Sequence, residues 1–199
     1  MNIEPSFAAD TPIMRFRLGY QSDARIEEAL DLSRRYGDEK QYGVRLSVQH
    51  AKGDTAINGA NAADTSVGLG LDYDGDRARA GFYFGYQKQH IKHGRSIVYT
   101  GTATRVPDAP DADTNYAASF NSTALENEFG LLRGEFDLNP HWTTYAAVGA
   151  NHTDEQGEYG SPTLVGNDGD AGIYRLGFRS KPIRSRVRPV FAGISTPAP

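Results

Sequence analysis

At 199 residues the chain has the length of one domain or of a piece of a larger one. Its 38% hydrophobic residues, 11% aromatics and 22 glycines suit strands and turns better than helices. Cysteine is absent, which excludes a disulfide framework and a thiolate metal site. No apolar run reaches the roughly 18 residues of a transmembrane helix, but the short, half-apolar strands of a membrane barrel are not excluded. The net charge of −4 conceals a split. Residues 171–199 hold six basic residues and no acid, so the preceding 170 carry 15 basic and 25 acidic side chains, a net −10. Two kinds of segment explain that shift better than one domain does. The start, MNIEPSFAADTPIM, has no basic residue ahead of an apolar core, so no signal peptide is visible in this chain.

In chain order, Met14, Phe16, Leu18 and Tyr20 alternate with Arg15, Arg17, Gly19 and Gln21, which reads as a strand with one apolar and one polar face. Residues 22–25 form a short connection. Residues 26–36, IEEALDLSRRY, suit a helix by propensity. They lack a clear cap, and Leu30 and Leu32 alternate, so a strand is predicted. After a turn at 37–40, Tyr42, Val44, Leu46 and Val48 alternate with Gly43, Arg45, Ser47 and Gln49. A polar loop over 53–65 then leads to the clearest unit of the chain, residues 66–91. There Val67, Leu69, Leu71 and Tyr73 share a face, Asp74-Gly75-Asp76 reverses the chain, and Ala80, Phe82, Phe84 and Tyr86 continue the same apolar face.

Residues 92–123 read as a long polar connection, unusual inside a compact domain and commonly functional. A strand over 125–138, a turn at 139–141, a strand over 142–152 and a polar stretch over 153–170 follow. The turns at 37–40, 74–77 and 139–141 are tight, and the connections at 53–65, 92–123 and 153–170 are long. That segregation describes an outer-membrane barrel, with Trp142, Tyr42 and Tyr73 beside the tight turns where an aromatic girdle belongs. A soluble sandwich or lipocalin-like barrel gives similar alternation and has less reason to sort its loops by length.

Signals of chemistry are weak. His90 and His93 are three apart and face opposite sides of a strand, so they do not chelate together there. Asp72-Tyr73-Asp74-Gly75-Asp76 starts like a calcium loop, but Tyr83 stands where the bidentate glutamate belongs. The sequons at Asn121 and Asn151 are short enough to arise by chance. No nucleophile elbow, phosphate loop or zinc-protease motif is present, so neither catalytic residues nor a metal site is predicted, and no enzyme is expected. The basic tail lacks a stacking platform, so nucleic acid is not expected as a partner.

The stretches RRYGDEKQYGVRLSVQHAKGDTAI (34–57), GLDYDGDRARAGFYFGYQKQHIKHGRSIV (70–98), VPDAPDADTNYA (106–117) and ENEFGLLRGEFDLNPHWTTYAAVGANHTDEQGEYGSPT (126–163) resemble TonB-dependent ferric-siderophore receptors of the outer membrane. The likeness is collinear over about residues 2–171. It implies an all-β, antiparallel, up-and-down transmembrane barrel segment, seven or eight strands of a larger barrel and an open sheet if alone, with an eighth strand allowed at 173–179. In that family a plug domain sits inside the barrel. Residues 1–10 resemble the end of the plug, and residues 11–171 would be the N-terminal part of the barrel. Arg15, Arg17, Arg45, Arg79, Tyr83 and Gln87 would line the lumen. Ligand contacts are expected at Gln87, Gln89, Arg95 and Tyr99, whose types suit an anionic or hydroxylated chelate. The resemblance implies ferric siderophore as the transported ligand, no cofactor, outer-membrane lipid as a partner, and TonB reached only through a plug. A fragment of this kind is not expected to transport alone. The alternative is a small self-contained barrel with a structural or adhesion role, which requires the first and last strands to pair. Residues 172–199, basic and interrupted by Pro182 and Pro189, are expected to be foreign to the receptor, exposed and free of long-range packing.

Overall fold

The computed structural model describes residues 6–21, 24–180 and 188–191, the last four by backbone alone. One antiparallel sheet contains every strand of the described residues. It runs β1 (Ile13–Gln21), β2 (Arg25–Tyr36), β3 (Tyr42–Asp54), β4 (Asn61–Asp74), β5 (Ala78–Lys92), β6 (Ser122–Asn139), β7 (Trp142–Leu164) and β8 (Ala171–Arg179), each strand pairing with its neighbours in sequence. A ninth, β9 (Arg188–Phe191), also pairs with β7. The IEEALDLSRRY segment is strand, because Leu30 and Leu32 must share a face with Val48 and Leu46 opposite them. Tertiary pairing overrides helical propensity here.

The sheet is open. β1 and β8 are the two ends of the path and do not pair, which removes the self-contained closed barrel. Nor does a second sheet cover it among the described residues, which removes the sandwich. The chain exposes 13975 Å² at 21.7 kDa, whereas a compact soluble chain of that mass exposes about 9,200 Å². Among the described residues the buried apolar side chains are three alanines and Leu164, and no large side chain is fully buried. Burial within this chain therefore does not hold the fold together, and the backbone ladder does.

Two expectations change. Strands β3 and β4 extend to Asp54 and Asn61, and β7 extends to Leu164, so the connections predicted at 53–65 and 153–170 shrink to 55–60 and 165–170. Alternation fades there because both faces of the sheet are polar, yet the backbone ladder continues without it. The connection between β5 and β6 is long as predicted, over 93–121. The tail also differs. β8 pairs Ala171–Arg179 against Leu164–Gln156, Ser180 N–H donates to Glu155 O at 2.8 Å, and β9 continues down the same neighbour against Ala146–Gly149. β8 matches the eighth strand allowed at 173–179, but pairing continues to Ser180 and to residues 188–191, which were expected to have none. Pro189 is accommodated because β9 has a partner on one side only. Pro182 lies outside the described residues.

Candidate functional site

Strand parity gives the sheet two chemically different faces. On the outer face, cross-strand rows such as Leu32, Leu46, Leu69 and Phe84, or Leu30, Val48, Val67 and Tyr86, form an apolar band. From Val67 to Tyr73 the band spans about 20 Å at roughly 3.3 Å per residue, close to the height of a membrane barrel's apolar belt. Tyr36, Tyr42, Tyr73 and Trp142 edge it at the tight-turn end, and the rings of Tyr42 and Tyr73 lie 5.4 Å apart. The outer-face large side chains are widely exposed, Phe16 at 67% and Leu132 at 52%.

The inner face is polar and internally paired. Arg45 binds Asp31 through two bonds of 3.0 Å. Arg35 binds Asp72 at 2.5 Å, and Arg79 forks onto Asp137 at 2.9 Å on both nitrogens while reaching Glu135 at 3.1 Å. Residues 6–9 lie across this face. Ala8 N–H donates to Asp72 Oδ1, Ala9 N–H donates to Ser33 Oγ, and Arg45 donates to Phe7 O. A backbone segment against a charged wall explains why so many arginines here are already neutralised: unpaired, they would be costly to enclose.

Toward the long-connection end the inner face opens into a cleft of about 510 Å³ lined by Gln21, Arg25, Glu27, Gln49, Asp64 and Gln87 among others. Arg25 Nη2 contacts Asp64 Oδ2 at 2.5 Å and Gln89 Nε2 donates to Asp64 Oδ1 at 2.9 Å. Gln49 Nε2 donates to Glu27 Oε1 at 3.1 Å. The lining offers amide donors and acceptors with compensated charges, a surface for a polar ligand rather than an apolar one. The 55–60 connection supplies Thr55 and Ala56 to its rim. That connection is clasped to residues 93–121: His93 sits between Gly59 O at 3.1 Å and Ser119 O at 2.5 Å, and Asn58 Nδ2 donates to Asp113 Oδ2 at 3.1 Å.

The four predicted ligand contacts separate into two pairs. Gln87 and Gln89 stand two apart on β5, with Gln87 in the cleft and Gln89 on Asp64 behind it. Arg95 and Tyr99 lie in the long connection. The guanidinium of Arg95 donates to Thr114 O and Ala112 O and stacks 5.8 Å from the Tyr116 ring, while the backbone of Tyr99 pairs with Pro162 and Leu164 and the residue stays 55% exposed. Sequence reasoning missed Arg25 and Asp64. Their inward parity follows from the register, but Arg25 fell in the connection read at 22–25, and the polar stretch 53–65 hid the start of β4. Among the described residues no group of three or more His, Asp or Glu side chains is arranged to hold a metal.

A curated relative, the ferrichrome receptor FcuA of Yersinia enterocolitica, is 47% identical over 176 residues, 88% of this chain and 23% of the relative. The chain is homologous to part of a siderophore receptor. Solved structures agree with this chain in fold. BauA, the ferric preacinetobactin receptor from Acinetobacter baumannii, superposes with a TM-score of 0.81 at 29% identity, over 87% of the chain and 26% of that receptor. The ferric-catecholate import receptor Fiu from E. coli K12 gives 0.72 at 14% identity, over 87% of the chain and 29% of Fiu, a likeness of fold alone. No protein-family model matches the chain. It spans about a quarter of the length of each of these relatives.

Proposed function

We propose that this chain forms part of the wall of an outer-membrane receptor for ferric siderophores, energised through TonB in the whole protein and not competent for transport by itself. The apolar band faces lipid, and the long connections face the cell exterior. The observation that carries the reading is the pairing of a lipid-type outer face with a polar inner face whose cleft opens at the long-connection end. Residues 1–10 are the end of the plug in this reading, supported by the seating of residues 6–9 on the inner face. Gln87 and Gln89 contact the ligand from the wall, and Arg95 and Tyr99 shape the connection above it. Ferrichrome is the first ligand to test, because the 47% identical relative is a ferrichrome receptor.

The test is a chimera in which residues 11–164 replace the matching part of the Yersinia receptor. The expected outcome is an inserted chimera that binds ferrichrome and loses affinity about tenfold on Gln87→Ala with Gln89→Ala. An inserted chimera that binds ferrichrome equally well with and without both glutamines would overturn the site assignment. One that binds no ferric siderophore at all would overturn the function.

Residues 172–199 are read as foreign to the receptor. Supporting this, most of the large apolar side chains of β8 face inward, unlike those of the outer apolar band of β1 to β5, although Ile173 faces outward opposite Pro162. The register puts Tyr174, Leu176 and Phe178 on the inner face and Arg175 and Arg179 on the outer one, and Arg175 accordingly meets the outer-face Glu158 at 2.6 Å. A one-residue displacement of pattern against register flips every side chain in this way. Coding sequence that resumes the receptor pattern in another frame just past residue 171 would support the reading, and receptors carrying this same tail in frame would refute it.

A further inference from the structure

The inner face has a hollow that nothing in the ladder requires. Gly70 on β4 and Gly81 on β5 lie diagonally across the pair, Gly70 opposite Tyr83 and Gly81 opposite Asp72. Neither has the positive φ that favours glycine, and glycine inside a strand weakens it and marks a close approach by other atoms. The approaching atoms belong to the segment ahead of β1. A Cβ at Gly81 would stand 2.7 Å from Phe7 Cζ, and one at Gly70 would stand 2.7 Å from Ser6 O. The Phe7 ring fills the hollow, with the Arg133 guanidinium 4.9 Å from its centre. Bonds flank it on three strands: Arg45 to Phe7 O, Asp72 to Ala8 N–H and Ser33 to Ala9 N–H.

We propose that Gly70 and Gly81 form a docking notch for Phe7, and that Phe7 is the positioning residue that fixes the chain ahead of β1 to the inner wall. Phe7 is then the point at which the segment ahead of β1 is held against the wall. The proposal rests on the receptor reading for its purpose, but its geometry is independent of ligand and transport, and so is its test.

Because the chain has no cysteine, Ala8→Cys provides one thiol inside the seated segment. Its modification by a small maleimide is followed in the full chain in outer membranes. Gly81→Val is expected to raise the labelling rate about fivefold or more by expelling the ring. Phe7→Ala raises it less, and Gly81→Val combined with Phe7→Ala brings it back below the Gly81→Val rate, because the added side chain occupies the space the ring vacates. Gly134→Ala, on the outer face with nothing closer than 3.9 Å, leaves the rate unchanged. Arg133→Gln, which alters no backbone, raises the rate even if Gly81→Val does not insert. Labelling that is unaffected by both Gly81→Val and Arg133→Gln, or a double variant that labels faster than Gly81→Val alone, would overturn the proposal.

Discussion

Asp72 concentrates more of the inner wall's connections than any sequence pattern announced. Its carboxylate accepts from Arg35 at 2.5 Å and from Ala8 N–H at 3.2 Å, and the two charged side chains are 12% and 10% exposed. Two unit charges about 3 Å apart attract by roughly 5 kcal/mol at an effective dielectric of about 20, and desolvation offsets much of that. Removing one partner leaves the other charge enclosed, at a cost of about 3–5 kcal/mol for fully buried pairs. The wall is open toward solvent on this face, so the lower end applies. Asp72→Ala should therefore destabilise by about 3 kcal/mol. Arg35→Ala combined with Asp72→Ala should cost about 1–2 kcal/mol less than the two single losses added together. Urea unfolding in detergent micelles, followed by the fluorescence of Trp142, the one tryptophan of the chain, reads both values. A loss below about 0.5 kcal/mol for Asp72→Ala, or strict additivity, would show that solvent, Lys40 O or Asp10 rather than Asp72 satisfies Arg35.

Three further outcomes follow from the same geometry. Leu46→Arg, in the middle of the outer apolar band, should cost about 2–4 kcal/mol in a membrane, seen as a loss of the heat-modifiable folded band, whereas arginine at Ser47 on the inner face should cost much less. Gly43→Ala places a Cβ 2.2 Å from Asp72 Oδ1, so it should displace that carboxylate and cost about 1–3 kcal/mol in the same urea assay. His93→Ala removes the side chain between Gly59 O and Ser119 O, and hydrogen exchange of residues 57–60 should accelerate severalfold while β4 is unchanged.

The fold was legible wherever one face meets an apolar surround and the other a polar one. Met14 to Tyr20, Tyr42 to Val48 and the 66–91 hairpin all alternate because the two faces differ, and their registers pair as the pattern implies. Legibility failed where both faces are polar. Asn61–Thr65 and Thr153–Leu164 are strand without alternation, and the polar composition of 53–65 and 153–170 read as loop. That same failure hid Asp64 at the cleft, whereas Arg25 was hidden because it fell in the connection read at 22–25 and is in fact the first residue of β2. Gln87 and Gln89 were accessible to sequence reasoning because they extend an alternating strand inward past Tyr83. Phe7 carried no local signal, since its role depends on two glycines more than sixty residues away. The pairing of the tail was illegible for a different reason. Backbone groups of Ser180 and of residues 188–191 join β7 whatever side chains they carry.

A cysteine scan through β4 and β5 decides whether one face of this sheet meets lipid while the other lines an aqueous interior. The chain contributes no competing thiol, so single cysteines at residues 66–72 and 79–87 can each carry a nitroxide in outer membranes. Accessibility to oxygen should be high at 67, 69, 71, 82 and 84, and accessibility to a water-soluble nickel complex high at 66, 68, 83 and 87, with a period of two residues on both strands. An inverted period, or accessibility to the nickel complex at every position, would contradict that arrangement.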